Sequence, residues 1–212
     1  MTSCQCQGID REFSAQYAAR DLASYRRKGA SRTTRMLTDA LIAEGVEGGT
    51  LLDIGGGVGA IGHILLTSGM RSATGVEASS AYAAAAVQES RQRGLADRME
   101  QLQGDFVEVA PQVAEHDVVT LDRVICCYDD LEGLVRASAT KARRLYGLVF
   151  PRETWWIRLG MRLLNAGMRL RGSSYRSYAH STEKLERLLE DMGLKLSSAG
   201  RTALWQVRVY AR

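Results

Sequence analysis

Proline is nearly absent. Pro111 and Pro151 are the two in 212 residues, and no linker-like stretch or internal repeat interrupts the chain. Long hydrophobic runs are missing too. Nowhere do about 18 uncharged apolar residues follow one another, the length a membrane-spanning helix needs. The first thirty residues carry Asp10, Arg11, Glu12, Arg20, Asp21 and Arg26, a charge pattern unlike that of a secretory signal peptide. Cysteine is scarce and comes as two close pairs, Cys4/Cys6 and Cys126/Cys127. Neither spacing is that of a zinc knuckle or a redox CxxC, and such near neighbours seldom reach bridging geometry. Reduced thiols, a cytoplasmic location and no metal are therefore expected, a soft metal on Cys4 and Cys6 being the lesser alternative. What remains is a folded, globular composition, 45% hydrophobic and 25% charged. The length is that of roughly one domain. The net charge of +4 is mild, but it is concentrated. Between Arg152 and Arg176 six arginines face one acid, Glu153.

Periodicity places the elements. Ile9 to Glu44 reads as helical, broken near Lys28-Gly29, with Met36, Leu37, Ala40 and Leu41 on one stripe. Thr50 to Ile54 is a short apolar strand ending in Gly55-Gly56-Gly57-Val58-Gly59, and a helix follows with Ile61, Ile64 and Leu65 on one face. Ala73 to Glu77, Met99 to Leu102, Asp117 to Leu121 and Leu145 to Phe150 read as further strands. Helices fall between them at Ser80 to Gln92 and around Leu131, Leu134, Val135 and Ser138. After a long segment from Pro151 to Ala179, Ser181 or Thr182 caps a helix striped with Leu185, Leu188, Leu189 and Met192. Two strands close the chain, Leu194 to Leu196 and Ala203 to Tyr210, with Ser198 to Arg201 between them. Alternating strands and helices imply an α/β fold, a mostly parallel sheet covered on both faces, and the final pair implies antiparallel pairing. The organisation expected is an N-terminal helical cap over 1–47 and a main domain over 48–212 with a lid insert at 152–180.

The stretch Asp53-Ile54-Gly55-Gly56-Gly57-Val58-Gly59 is the most informative. Glycines between a strand and a helix let backbone approach a ligand beside the free N–H groups of the helix start. Gly57 to Gly62 also satisfies the G-x-G-x-x-G of dinucleotide sites. Three features weigh against that reading. Asp53 sits in the strand, where a carboxylate helps a cationic ligand and not a pyrophosphate. The closing pair of strands is not needed by dinucleotide folds, and no second domain remains for a hydride acceptor. The set resembles the class I S-adenosylmethionine-dependent methyltransferases, whose first motif is D-x-G-x-G-x-G. The resemblance spans about Gly48 to Arg212. It implies a Rossmann-like seven-stranded sheet with an antiparallel last strand, and S-adenosyl-L-methionine as cofactor. Asp53, Gly55, Gly56, Gly57 and Gly59 would hold the methionine moiety, and Glu77 the ribose hydroxyls beside Ala78. Asp105 and Phe106 would meet the adenine, in the family's G-D-hydrophobic position, and Asp122 ends the fourth strand at the cofactor's edge.

The acceptor side is less explicit. In the resembled family the tip after the fourth strand, here Asp122 to Asp130, lies between cofactor and acceptor, so Asp122 and Tyr128 are acceptor-side candidates, while Asp129 and Asp130 read as helix caps. No D/N-P-P-Y/F run follows that strand, which argues against methylation of an exocyclic base nitrogen. His180 is the best-placed histidine for a base, and His180 or Asp122 is expected to orient or deprotonate the acceptor; His63 reads as structural and His116 as flanking an exposed strand start. In the insert, Trp156, Leu159, Leu163 and Leu170 form a stripe with Arg158, Arg162 and Arg169 opposite. It reads as a lid helix packed on the sheet's rim, as a cover over an apolar or anionic acceptor, or as a surface-seeking membrane helix. Arg152, Trp156, Arg176 and Tyr128 are the substrate-side candidates. Tyr25-Arg26-Arg27-Lys28 is a solvated basic turn or a clamp on the cofactor's carboxylate. A slight similarity to magnesium-protoporphyrin O-methyltransferases around the fourth strand points to O-methylation of a small apolar or anionic compound. The alternatives are an RNA methyltransferase and a non-catalytic, cofactor-binding or membrane-peripheral protein. Nucleic acid is the less favoured partner, and the sequence leaves oligomeric state open.

Overall fold

A computed structural model describes residues 13–173 and 175–212. Cys4 and Cys6, with the expected start of the first helix at Ile9 to Glu12, lie outside them. Two helices open the described chain, α1 (Ala15–Lys28) and α2 (Arg32–Ala43). Gly29 ends the first, and Ser31 caps the second by accepting from the backbone N–H of Thr34. Strands and helices then alternate: β1 (Thr50–Ile54), α3 (Ala60–Thr67), β2 (Ser72–Glu77), α4 (Ser80–Gln92), β3 (Met99–Gln103), α5 (Phe106–Val109), β4 (His116–Asp122), α6 (Leu131–Ala139) and β5 (Ala142–Pro151). The insert helix α7 (Trp155–Leu170), then α8 (Thr182–Asp191), β6 (Lys195–Arg201) and β7 (Trp205–Ala211) complete the order.

The sheet runs β3-β2-β1-β4-β5-β7-β6, with β1 to β5 parallel and β7 antiparallel to both neighbours. Strand order reverses direction between β1 and β4, so the loops leaving those strands diverge and open a crevice at their carboxyl ends, where open α/β sheets bind ligands. Both faces are covered. Leu52, Val119 and Leu121 face α6 and α8 through Leu134, Leu185 and Leu189. Leu51 and Val118, one residue out of phase, face α2 and α3 through Leu37, Leu41 and Leu65. The α2 stripe is thus part of the main core.

Two expectations need correction. Ser198 to Arg201 is strand and not turn: β6 pairs with β7 through Arg201 opposite Gln206, past an irregularity between Leu196 and Ser198. As an edge strand with few buried side chains it is defined by backbone pairing, and its sequence carries little apolar alternation. The α7 stripe is not packed on the sheet's rim either. Ile157 and Met168 are the buried residues of that helix, while Trp156, Leu159, Leu163 and Leu170 face outward.

Leu37 is fully buried against Gly147 of β5 and the neighbouring strands. Leu37→Ala is expected to lower unfolding stability by about 2–5 kcal/mol in chemical denaturation. A loss below about 1 kcal/mol would show that α2 is not integral to the core.

Candidate active site

The carboxyl ends of β1, β2 and β4 bring three acids within range of one another's charge. Asp53, at 1% exposure, accepts a hydrogen bond from Thr120 Oγ1 on β4 at 2.7 Å through Oδ1. Its Oδ2 is buried without a hydrogen-bond partner among the described residues. That oxygen lies directly beneath the glycine loop, where a Cβ on Gly56 would strike it. Burial is the main reason its pKa rises to about 7, and the negative charges of Asp122 and Glu77 add to the rise while the Thr120 bond opposes it. Glu77, ending β2, accepts from the backbone N–H of Gly57 and from that of Ser79, each at 3.0 Å. Glu77 thus braces the glycine loop from the end of β2. The half-buried Ala78 lies between these two contacts.

The glycine loop is required by its neighbours. Gly55 has φ 64°, and a Cβ there would approach Val124 Cγ2 to 2.5 Å. Gly57 has φ 58° and Gly59, capping α3, φ 83°. Any side chain here would be strained, displace the loop, or fill the cradle above Asp53. Donors at a helix start, a pair of carboxylates and one orphan anionic oxygen make a site matched to a zwitterionic, cationic nucleoside. The residues fit S-adenosylmethionine.

On the other side of the crevice, Asp105 begins α5 by accepting from the Val107 N–H at 3.1 Å, and the same oxygen accepts from the Tyr128 hydroxyl at 2.5 Å. A strap, residues 175–180, crosses the loop after β4. Tyr178 donates its N–H to the Cys126 carbonyl, and His180 Nε2 donates to the Tyr128 carbonyl, both at 2.7 Å. Tyr175 places its hydroxyl 3.1 Å from Cys127 Sγ and its ring edge-on to Phe13, which in turn meets Tyr82.

Residues 52–144 match the family described as "Methyltransferase domain". That match spans somewhat less than half of the chain, within the Rossmann-like sheet. No curated protein matches the chain. Among solved structures it is similar to magnesium protoporphyrin IX methyltransferase from Synechocystis PCC 6803 with bound SAH, at 19% identity and TM-score 0.74, covering 97% of this chain and 99% of that one. It is also similar to a putative sarcosine dimethylglycine methyltransferase from Galdieria sulphuraria, at 14% identity and TM-score 0.71, covering 87% of each chain. A third is a geranyl diphosphate methyltransferase in complex with GPP and sinefungin, at 17% identity and TM-score 0.69, covering 92% of this chain and 83% of that one. The domain match and these folds together support an S-adenosylmethionine-dependent methyltransferase.

Several of the expected site residues have partners of their own within the fold. Phe106 is 4% exposed and belongs to the buried cluster on the α6/α8 side of the sheet. Asp122 already accepts from Thr34 Oγ1 at 2.5 Å and from Arg123 Nε at 2.9 Å. Arg152 ties itself to the turn before β7, donating to the Ala203 and Leu204 carbonyls. Arg176 donates to the Ser173 and Tyr175 carbonyls of its own loop. Trp156 is outward on α7. Arg26, Arg27 and Lys28 are exposed, as a solvated basic turn would be, and Arg26 also joins Arg93 on the buried Glu89 of α4, tying α1 to that helix. His63 is buried with Nδ1 3.3 Å from the Tyr25 hydroxyl, and burial lowers its pKa to about 4. His116 is buried and not flanking open solvent, bonded to Ala114 and Thr74. Asp130 caps α6 through the Gly133 N–H.

Several participants carried no usable mark in the sequence. Thr34, Thr120, Phe13, Tyr82 and Tyr175 are ordinary residues made relevant by tertiary placement. Arg123 is held at φ 64° while its N–H donates to the Val149 carbonyl, a left-handed conformation that costs a non-glycine residue on the order of 1 kcal/mol. The adjacent Cys126 and Cys127 were the one visible mark, read only as reduced thiols.

A cationic ligand group favours the ionised form of Asp53, so binding below about pH 7 must release a proton. The affinity for S-adenosylhomocysteine by calorimetry is expected to be flat above that pH. Below it, affinity falls by up to about tenfold per unit. Asp53→Asn should weaken binding and remove the slope; a wild-type affinity independent of pH from 5 to 8 would contradict the placement.

Proposed function

We propose that the methyltransferase methylates an oxygen of a small apolar or anionic compound. On the cofactor side, Asp53 Oδ2, the glycine loop and Glu77 bind and orient S-adenosylmethionine, with Ala78 and Asp105 beside the nucleoside. When bound, that molecule supplies a methyl group already activated on a sulfonium, so the protein mainly aligns the acceptor and excludes water. A hydroxyl or carboxyl acceptor additionally has to lose or have lost its proton.

The observation that carries the acceptor reading is the strap seated on the loop after β4. His180 Nε2 donates to the Tyr128 carbonyl, which fixes the tautomer and leaves Nδ1 with the lone pair. Ring stacking on Tyr178, with centroids 5.7 Å apart, holds the imidazole's plane. His180 is assigned as the base toward the acceptor, and Tyr128 as the residue linking the acceptor side to Asp105. Arg152, Trp156 and Arg176 remain at the margin of the insert, as the charged and apolar border of the acceptor's entrance. Two of the similar proteins support an apolar, anionic acceptor: their names specify magnesium protoporphyrin IX and geranyl diphosphate, each combining a large apolar body with anionic oxygens.

The test is transfer of a labelled methyl group from S-adenosylmethionine to a panel of apolar carboxylic acids, phenols and prenyl phosphates, with bulk RNA as comparison. Label is expected in an ester or ether of one small-molecule class. His180→Ala should lower kcat by about 100-fold or more at unchanged affinity for S-adenosylhomocysteine. Transfer to RNA alone, or an unchanged kcat in the variant, would overturn the acceptor assignment.

Tyr128 should also matter through Asp105. Tyr128→Phe removes a charge-assisted hydrogen bond and is expected to change S-adenosylhomocysteine affinity by less than about tenfold. Asp105→Ala should weaken it by more than that, as calorimetry would show; equal effects would place Asp105 outside the nucleoside site.

A further inference from the structure

The insert helix α7 carries a surface that methyl transfer does not explain. It is 16 residues long, about 24 Å at 1.5 Å per residue. Trp155, Leu163 and Leu170 are 76%, 66% and 91% exposed, and Leu159 and Trp156 are exposed between them. Residues four and seven apart share a helix face, so these five form one stripe from end to end. Exposed apolar area of this extent on one element marks an interaction site.

Charge identifies what the stripe meets. The helix contains no acid, and Arg162 and Arg169 are exposed along the stripe's edge, with Arg171 just past its end. Arg158 is the exception, paired with Glu153. A second copy of the same face would bring arginine rows against arginine rows. A nucleic acid would use the arginines and leave the leucines in water. A bilayer with anionic headgroups uses both, with tryptophan at the level of the interface.

We propose that α7 seats the enzyme on the surface of an anionic lipid bilayer. Trp155, Leu159, Leu163 and Leu170 enter the upper acyl region, and Arg162 and Arg169 meet the headgroups. The chain leaving α7 becomes the strap over Cys126 to Tyr128, so docking puts the acceptor side of the crevice next to the lipid. The inference rests on the surface alone and does not depend on the acceptor's identity.

The test is co-sedimentation of the full chain with phosphatidylglycerol/phosphatidylcholine vesicles and with pure phosphatidylcholine vesicles. Tryptophan emission is followed in parallel. The protein should pellet with the anionic vesicles, shift its emission to the blue, and dissociate as salt is raised. Leu163→Gln/Leu170→Gln and, separately, Arg162→Glu/Arg169→Glu should each weaken vesicle binding by about tenfold or more. S-adenosylhomocysteine affinity, unchanged in both variants, confirms that they fold. Failure of the wild type to pellet with anionic vesicles overturns the proposal, as does a Leu163→Gln/Leu170→Gln protein that pellets like wild type. Light scattering that finds a dimer dispersed by the leucine changes, without lipid binding, also overturns it and assigns the face to a second copy.

Discussion

A buried carboxylate oxygen with no hydrogen-bond donor among the described residues is the constraint around which this site is organised. Isolating a charge from water costs several kcal/mol, and Asp53 meets that cost in part by raising its pKa to about 7. Thr120 satisfies one oxygen. The other waits beneath backbone that comes close because Gly56 has no side chain. The arrangement is unfavourable in the free protein and becomes favourable when a cation arrives, which is how a site makes ligand binding relieve its own strain. Glu77 serves the same end from β2 by fixing the loop through the Gly57 N–H.

The acceptor side is built on different terms. Its loop after β4 has little regular structure, and order comes from the strap that follows the insert. Two strap contacts end on main-chain carbonyls, those of Cys126 and Tyr128. They are therefore insensitive to which side chains occupy that loop. Beside this backbone framework, Cys127 meets the Tyr175 hydroxyl and Tyr128 donates to Asp105. Placing the strap immediately after an exposed amphipathic helix couples the environment of α7 to the environment of the acceptor.

Much of this was legible in the sequence, for physical reasons that also mark where legibility ends. The glycine loop, the acids at the strand tips and the antiparallel closing pair are local patterns, and local patterns survive in one dimension. Ser198 to Arg201 was misread because an edge strand held by backbone pairing needs no apolar alternation. A hydrophobic residue beside a motif acid, such as Phe106, has two possible burial partners, ligand or core, and its membership of the buried cluster is a tertiary fact. The α7 stripe was visible, but which way it faces is set by the burial of Ile157 and Met168 and by the paired hydrogen bonds of Asn165 with Ser177. Thr34, which donates to Asp122 across 88 positions of chain, has no signature of its own.

The central claim is that Asp53 is held near neutrality without ligand and ionised with it. Carbon-13 NMR of the aspartate carboxyl groups, titrated with pH in the free enzyme and with saturating S-adenosylhomocysteine, measures this directly. The account predicts one resonance, absent in Asp53→Asn, with a midpoint near 7 that falls by a unit or more when ligand is bound. A midpoint near 4 in the free protein, or no movement on binding, would contradict it.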